Sequence, residues 1–168
     1  MSSQPSTGTG ELSAAERAFY SRQLILPEMG YEAQLALKGA RVVVLGAGGL
    51  GAPALLYLAG AGVGQIVVVD DDVVDASNLH RQVIHTHARV GNSKAESAAE
   101  SLRSLNPFIE VVPVRERLTE ANVDELLADA DLVLDGSDNF ESRYVVSAAA
   151  ARAGIPHVWA AILGFDAQ

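Results

Sequence analysis

One apolar run that ends in glycines constrains the fold more than any other feature of the sequence. Residues 41–45 read RVVVL, and the glycine-rich sequence GAGGLG follows at residues 46–51. A run too apolar to alternate is typical of a strand buried on both faces, as in a parallel sheet. A helix rich in small residues is predicted directly afterwards, from Leu50 to Ala61. Strand, glycine turn and helix together predict the start of a βαβ unit.

The glycines fit the spacing G-x-G-x-x-G, in which each glycine has its own mechanical task. Gly46 permits the tight turn, Gly48 lets a phosphate approach the backbone, and Gly51 lets the helix pack closely on the strand. Free N–H groups at the helix N-terminus favour an anion there. The motif predicts a nucleotide site, although a βα turn without a ligand would have the same sequence. Its candidate residues are Gly46, Gly48, Gly49 and Gly51.

Further apolar and helical segments alternate along the rest of the chain. Strands are predicted over 65–70, 109–114, 131–135 and 157–163, and helices over 92–105, 119–128 and 139–153. Before the first strand, helical segments are predicted from a Ser13 cap to Leu26 and over 31–37. This order predicts an α/β, Rossmann-like, doubly wound parallel sheet with two leading N-terminal helices.

The ends of the chain carry separate expectations. Residues 1–11 are mostly Ser, Thr, Gly and Pro without periodicity, which predicts a disordered tail. The sequence stops at Gln168, directly after the fifth predicted strand. Because domains seldom end on a central strand, we expect residues 12–168 to be the N-terminal part of a nucleotide-binding domain. A short edge strand at a natural terminus is the alternative.

Composition narrows the classes of function. A net charge of −9 over 168 residues argues against a general nucleic-acid binder, since no basic stripe offsets it. The sequence has no cysteine, which excludes a disulfide, a thiolate zinc site and a cysteine nucleophile within it. It also has no apolar run of about 18 residues and no signal-peptide pattern, so a cytoplasmic protein without membrane contact is the default expectation.

An acidic cluster closes the second predicted strand. Asp70 follows the glycines by about twenty residues, the position at which an acidic side chain accepts hydrogen bonds from ribose hydroxyls. Asp71 and Asp72 come next, and a solvated acidic loop is the alternative for all three. Asp70 is therefore the predicted ribose ligand, and Asp72 is a further nucleotide candidate.

Two cations follow this acidic cluster. Arg81 stands in the sequence SNLHRQ at residues 77–82, and Lys94 stands in the first turn of the next predicted helix. Arginine offers a planar fork to phosphate oxygens, and lysine offers a compact positive charge. Together they favour a triphosphate over a dinucleotide. Alternatively, both are surface residues that pair with the aspartates.

One acidic residue, rather than the histidines, is the candidate metal ligand. Asp138, after the fourth predicted strand, would face the glycine loop across the sheet and could hold a hard cation such as Mg²⁺. Helix capping by Ser137, Asp138 or Asn139 is the alternative. His85 and His87 lie in a loop without a third ligand at fixed spacing, so no metal site is predicted there.

Several motifs occur together in an order that resembles one family. They are YSRQ at 20–23, GAGGLG at 46–51, Asp70, SNLHRQ at 77–82, GNSK at 91–94 and SDN at 137–139. The set resembles the adenylating domain shared by bacterial molybdopterin-synthase and thiamine-biosynthesis adenylyltransferases and by ubiquitin-activating E1 enzymes. The resemblance covers roughly residues 12 to 168, and the stretch at 77–82 is its most specific part.

The resemblance implies an ATP-dependent reaction and a homodimer. A ubiquitin-like sulfur-carrier protein ending in Gly-Gly would present its C-terminal carboxylate to the α-phosphate of ATP·Mg²⁺. The products would be an acyl-adenylate and pyrophosphate. No protein nucleophile is required, so catalysis would consist of positioning and electrostatic stabilisation.

The resemblance also implies roles for individual residues. Asp70 would bind the ribose, and Asp138 would bind magnesium. Asn78, Arg81 and Lys94 would neutralise charge on the phosphates, while Arg22 would act from the partner protomer. The implied catalytic residues are Arg22, Arg81, Lys94 and Asp138. The implied nucleotide-binding residues are Gly46, Gly48, Gly49, Gly51, Asp70, Asp72, Ser77, Asn78, Leu79, His80, Arg81, Gln82, Lys94, Asp138 and Asn139.

The sequence departs from the family pattern near its end. Relatives usually continue into strands that dock the carrier, a crossover loop and often paired CxxC zinc ligands, so any zinc would belong to a missing C-terminal part. Ala167 stands where many relatives have glycine, which puts the local geometry there in doubt. The pathway stays open between molybdenum cofactor, thiamine and other sulfur-carrier chemistry.

Two other functions compete with this interpretation. An NAD-dependent oxidoreductase would use the same glycines and Asp70, but it would not account for Arg81, Lys94 and Asp138 occurring together. A non-catalytic dimerisation module could keep the fold without using the nucleotide site.

Overall fold

The computed structural model describes residues 10–137, 140–163 and 166–168. At its centre, five parallel strands lie in the order β3-β2-β1-β4-β5. The strands are β1 Arg41–Leu45, β2 Gln65–Val69, β3 Glu110–Val114, β4 Leu132–Asp135 and β5 His157–Trp159. Helices connect them and cover both faces, so the predicted Rossmann-like α/β class is confirmed.

The position of β1 at the centre of the sheet explains why its sequence is apolar after Arg41. Val43 pairs with Val67 of β2 on one side and with Val133 of β4 on the other. Val42 and Val44 belong to a core cluster on one face of the sheet, whereas Val43 and Leu45 belong to a cluster on the opposite face. Every side chain of β1 after Arg41 is therefore buried, and no position needs to be polar.

The helices divide between the two faces of the sheet. The N-terminal helices are α1 Ala14–Phe19, α2 Ser21–Leu24 and α3 Gly30–Gly39, and the later ones are α4 Gly51–Ala61, α5 Lys94–Leu105, α6 Val123–Leu126 and α7 Phe140–Ala153. Helices α4 and α5 contribute to the core cluster on one face, and α6 and α7 contribute to the other. No helix of the described residues is long and apolar enough to cross a membrane.

The N-terminal segment differs from the sequence prediction. The helix predicted to run from a Ser13 cap to Leu26 is two short helices, although the capping box of Ser13 and Glu16 is present. The break falls at Tyr20, which leaves helical geometry at φ −88° and ψ 11°. Its ring is buried against Gly62, and its hydroxyl accepts a hydrogen bond from Asn106 at 2.8 Å. This tertiary anchoring of Tyr20 accounts for the interruption.

The prediction of one strand over 157–163 is wrong. Strand β5 ends at Trp159, and Ile162–Leu163 (β6) pairs antiparallel with Asp166–Ala167 (β7) in a separate two-stranded ribbon. The backbone N–H of Ala160 makes the last bond to β4, after which the chain leaves the sheet. The helix predicted over 119–128 is likewise shorter, because Asn122 accepts hydrogen bonds from Thr119 in a turn before α6.

Candidate functional site

A cleft of about 820 Å³ opens where the strands of the sheet have their carboxyl ends. Its lining combines the glycine loop, the three aspartates after β2, Arg81 and Gln82, Lys94, and the loop after β4. Parallel topology brings these segments together, because each follows the carboxyl end of a strand or begins the helix that comes next. The sequence prediction of a site at this edge thus corresponds to a real concavity.

The glycine loop has the geometry that its spacing predicts. Gly46 has φ +86°, in the left-handed region that favours glycine. A Cβ on Gly51 would lie 1.8 Å from the carbonyl oxygen of Gly46, so no larger residue fits between helix and strand. At Gly48 a Cβ would meet only Gln82 Nε2, at 3.6 Å, so its immediate surroundings are open towards the cleft.

Asp70 connects the glycine loop to the end of β2. Its Oδ2 accepts a hydrogen bond from the Ala47 N–H at 2.8 Å, and its Oδ1 accepts one from the Asp72 N–H at 2.9 Å. An ionised carboxylate has about four lone-pair positions, so two remain for donors from a ligand. The half-buried side chain lines the cleft, which leaves those positions accessible.

Lys94 brings a nearly buried positive charge to the cleft. Its side chain is only 8% exposed, and Nζ lies 2.9 Å from Asp72 Oδ2. Asp71 similarly pairs with Arg117 at 3.0 Å, on the exposed rim. The predicted pairing of Lys94 with an aspartate is therefore present, although Lys94 is nearly buried and is not a surface residue. A buried ammonium with one carboxylate partner could still donate to an anion, because lysine carries three donors.

Arg81 lies across the glycine loop. Its side-chain carbons would contact a Cβ on Gly49 at 3.7 Å, and its Nη2 donates to Asn78 Oδ1 at 2.8 Å. The guanidinium is exposed, so it can reach an anion in the cleft. His80 Nε2 lies 3.3 Å from the other terminal nitrogen, Nη1.

Not every predicted residue of the 77–82 stretch reaches the cleft. Of its described side chains, Arg81 and Gln82 line the cleft, whereas Ser77, Asn78, Leu79 and His80 are not part of the lining. Ser77 donates from both its N–H and its hydroxyl to Asp75, and these bonds lower the pKa of that carboxyl. Asn78 acts indirectly, by holding Arg81.

The remaining predicted residues stand apart. Arg22 lies on α2 with its side chain exposed, away from the cleft lining. Asp138 and Asn139 lie outside the described residues, so the predicted magnesium ligand has no described geometry. Among the described residues, no group of three or more His, Asp or Glu side chains could hold a metal ion.

Two side chains next to the cleft are buried, although the sequence did not predict their burial. His85 is 5% exposed, and it lies 3.0 Å from the Ala47 carbonyl oxygen through Nε2 and 2.9 Å from Ser97 Oγ through Nδ1. Asp135 is completely buried at the end of β4. Nothing in the sequence separates His85 from the exposed His87, and no local pattern indicates that the Asp135 carboxylate is buried.

The fold and the cleft define a Rossmann-like α/β domain with a glycine loop, an acidic strand end and two cations around one concavity. The chain belongs to the ThiF family, whose sequence profile matches residues 20–168.

Named relatives agree with this membership. The probable adenylyltransferase/sulfurtransferase MoeZ of Mycobacterium tuberculosis is 56% identical over 157 residues, which cover 94% of this chain and 40% of the relative. The sulfur carrier protein adenylyltransferase of Thermus thermophilus is 52% identical over 149 residues, covering 89% and 55%. The chain thus spans about half the length, or less, of these two relatives.

A solved structure agrees in fold. The E. coli tRNA N6-threonylcarbamoyladenosine dehydratase TcdA in complex with ATP superposes with a TM-score of 0.83 and 32% identity. The match covers 88% of this chain and 60% of that protein. MoeZ and the Thermus thermophilus protein are both named as adenylyltransferases, which supports the enzyme class that the motifs predict.

Proposed function

We propose that this chain is the nucleotide-binding part of an ATP-dependent adenylyltransferase that activates a ubiquitin-like sulfur-carrier protein at its C-terminal Gly-Gly carboxylate. The observation that carries the proposal is the grouping of the glycine loop, Asp70, Arg81 and Lys94 around one cleft of about 820 Å³. The two adenylyltransferase relatives support the choice of reaction, and the ATP in the TcdA complex supports the choice of nucleotide.

The cleft offers different chemistry to different parts of ATP. Asp70 would accept hydrogen bonds from the ribose hydroxyls with the lone pairs that the backbone amides leave open. The glycine loop and the N-terminus of α4 would receive the phosphates. Lys94, close to Asp72, and the exposed Arg81 would add positive charge beside them.

The reaction would proceed by substitution at the α-phosphorus. A carboxylate oxygen of the carrier forms a bond to this phosphorus, while the bond to the oxygen that bridges to the β-phosphate breaks. Pyrophosphate leaves with that electron pair, and the carrier is left as a mixed anhydride with AMP. Because negative charge grows on the leaving phosphates, Arg81 and Lys94 would contribute most in the transition state.

Two further parts of the proposal rest on residues without described contacts to the cleft. Asp138 would hold Mg²⁺, which would neutralise phosphate charge when bound; the described carboxylates Asp71 and Asp72 already pair with Arg117 and Lys94. Arg22, exposed on α2, would reach the site of a second protomer in a homodimer. The reaction would take place in the cytoplasm, and residues 12–168 would form the N-terminal part of the nucleotide-binding domain.

Calorimetry with ATP·Mg²⁺ and, separately, NADH tests the proposal directly. We expect a single ATP site and no NADH binding, because two cations beside the glycine loop suit a triphosphate. Tight NADH binding without ATP binding would establish the oxidoreductase alternative instead. Binding of neither nucleotide would favour a non-catalytic dimerisation module.

Pyrophosphate exchange with a Gly-Gly carrier protein tests the two cations, and it is measured in a longer protein that includes the carrier-docking strands of the relatives. Arg81→Ala and Lys94→Ala should each slow exchange on the order of 10²-fold while changing ATP affinity far less. Arg152→Ala is the matched control, since it removes an exposed arginine that pairs with Asp124 away from the cleft. A cation whose removal leaves exchange at the control rate has no role in the reaction.

A further inference from the structure

His85 sits between the glycine loop and helix α5 and contacts both. Its imidazole is 5% exposed, with Nε2 at 3.0 Å from the Ala47 carbonyl oxygen and Nδ1 at 2.9 Å from Ser97 Oγ. Ser97 belongs to α5, the helix that also begins with Lys94. The imidazole thus joins the backbone of the predicted phosphate loop to the next helix of the site.

These two contacts fix which ring nitrogen carries the proton. A carbonyl oxygen can only accept a hydrogen bond, so Nε2 of His85 must be the donor to Ala47. In the neutral ring Nδ1 then accepts from the Ser97 hydroxyl. Burial lowers the pKa of His85, which keeps the ring neutral at physiological pH.

The hydrogen bond to Ala47 also determines where the next N–H points. In a planar trans peptide the C=O of one residue and the N–H of the following residue point in opposite directions. The carbonyl of Ala47 is directed at the buried imidazole, so the N–H of Gly48 points away from it. Gly48 lines the cleft, and its N–H is therefore turned towards the space that a phosphate would occupy.

A second side chain fixes the preceding peptide. The N–H of Ala47 donates to Asp70 Oδ2 at 2.8 Å, and this N–H belongs to the peptide before the one that His85 holds. Two successive peptides of the loop are thus each held by a side chain. Asp70 holds the Gly46–Ala47 peptide from the cleft, and His85 holds the Ala47–Gly48 peptide from the interior.

We propose that His85 is a positioning residue for nucleotide binding, which holds the Ala47–Gly48 peptide so that the Gly48 N–H faces the phosphates. This inference rests on the proposed ATP site. Phosphate binding would then depend on a buried side chain as well as on the glycines of the G-x-G-x-x-G motif.

Two substitutions separate this role from simple core packing. His85→Gln places an amide N–H near the position of Nε2 and can still donate to Ala47. His85→Asn is shorter, places its amide near Nδ1, and reaches only the Ser97 side. We expect the Gln variant to bind ATP within about threefold of wild type and the Asn variant to bind roughly tenfold more weakly. Adenosine affinity should be nearly the same in all three proteins, because adenosine has no phosphate.

The tautomer can be measured in the unsubstituted protein, which removes any dependence on how the variants fold. Long-range ¹H–¹⁵N correlation spectra of the His85 ring should show the proton on Nε2. A proton on Nδ1 would contradict the hydrogen bond to Ala47 and overturn the inference.

The binding experiments distinguish a failure of the His85 positioning role from a failure of the proposed ATP-binding function. If wild type binds ATP and His85→Asn binds it equally well, the positioning role is wrong and the ATP site stands. Parallel losses for ATP and adenosine would also overturn the role, since they would indicate a general disturbance of the cleft. If wild type binds no ATP, the proposed function fails and this inference fails with it.

Discussion

Two aspartates flank the central strand at the same edge of the sheet, yet their surroundings are opposite. Asp135 is the last residue of β4 and pairs in register with Leu45, while Asp70 comes directly after β2, one residue beyond the corresponding position. Asp135 is completely buried, whereas Asp70 is half-buried and lines the cleft. One carboxylate is enclosed by the protein, and the other is open to a ligand.

The partners of the two carboxylates differ accordingly. Asp135 Oδ1 accepts hydrogen bonds from the N–H and hydroxyl of Ser137, and Oδ2 lies 3.8 Å from Arg143 Nε and 3.6 Å from His157 Nε2. Arg143 in turn stacks over Trp159, 4.9 Å from the ring centroid. Asp70 instead accepts hydrogen bonds from two backbone amides at the cleft. The same side chain thus stabilises the fold at one strand and offers a binding group at the next.

The largest predicted effect is on stability at the enclosed carboxylate. Asp135→Ala should lower the free energy of unfolding by about 3 kcal/mol, because it removes the anion that faces Arg143 and His157 in a buried site. Urea denaturation measures this, with Asp135→Asn as the milder comparison that can still bond to Ser137. A loss below about 1 kcal/mol in Asp135→Ala would mean that enclosure does not distinguish the two aspartates.

The second prediction concerns ligand affinity at the open carboxylate. Asp70→Ala should weaken ATP binding by roughly 10- to 100-fold, the effect of losing hydrogen bonds to a charged group. Its unfolding free energy should fall by less than about 1 kcal/mol, because water in the cleft can solvate the freed amides of Ala47 and Asp72. Calorimetry and urea denaturation on the same samples test both halves. Equal effects of the two aspartate substitutions on ATP binding would contradict the claim that Asp70 is open to a ligand and Asp135 is not.

The sequence predicted the sheet and the position of the cleft, but not this division between the aspartates. Strands whose side chains are buried on both faces are recognisable as apolar runs, and their parallel order fixes which loops meet. Burial of an individual polar residue depends on what packs over it from distant segments, here Arg143 and His157. Asp135 was therefore only the last residue of a predicted strand, while Asp70 stood out through its spacing from the glycines.

Contacts between segments that are distant in sequence also explain the elements that were predicted wrongly. Tyr20 interrupts the first helix because it is anchored to Asn106, 86 residues away in sequence. The ribbon of β6 and β7 forms from two short segments whose pairing no local pattern indicates. His85 is buried between Ala47 of the glycine loop and Ser97 of α5, while His87 is exposed, and no local pattern indicates this difference.

A third carboxylate, Glu16, provides an intermediate case. Burial raises its pKa, but hydrogen bonds from Lys38 and from the Ser13 cap outweigh this, so the pKa lies below the ordinary 4.5. Lys38 Nζ is 2.7 Å away and partly exposed. Glu16→Gln should therefore cost about 0.5–1 kcal/mol at pH 7, well below the stability effect expected at Asp135.

The pH dependence of Glu16 follows from the direction of its pKa shift. A carboxyl with a lowered pKa in the folded protein contributes stability that is present above pH 4.5 and lost as pH falls through the folded value. The difference between wild type and Glu16→Gln should accordingly disappear in acid. A difference that persists below the folded pKa would point to packing instead of charge.

The smallest predicted effect is the titration of His85. Burial lowers its pKa from the ordinary 6.5, so the unfolded chain binds a proton more readily than the folded one. Its contribution to stability is complete above pH 6.5 and is lost as pH falls through the folded pKa. Unfolding free energies at pH 7.5 and 5.5 should differ more in wild type than in His85→Gln, which cannot titrate. An identical pH dependence in both would place the ring in a more solvated environment than its 5% exposure indicates.

The attachment of the glycine loop to β1 has a consequence for its dynamics. The loop begins at the central strand, which is hydrogen-bonded on both sides, and it ends in a helix that packs on the core. Central strands of this kind open to solvent only in the rarest, near-global fluctuations. Amide hydrogens of Val43 and Val44 should therefore exchange among the slowest in the protein. The loop anchored there is held in shape before any ligand arrives, so little conformational entropy remains to be lost when a phosphate binds.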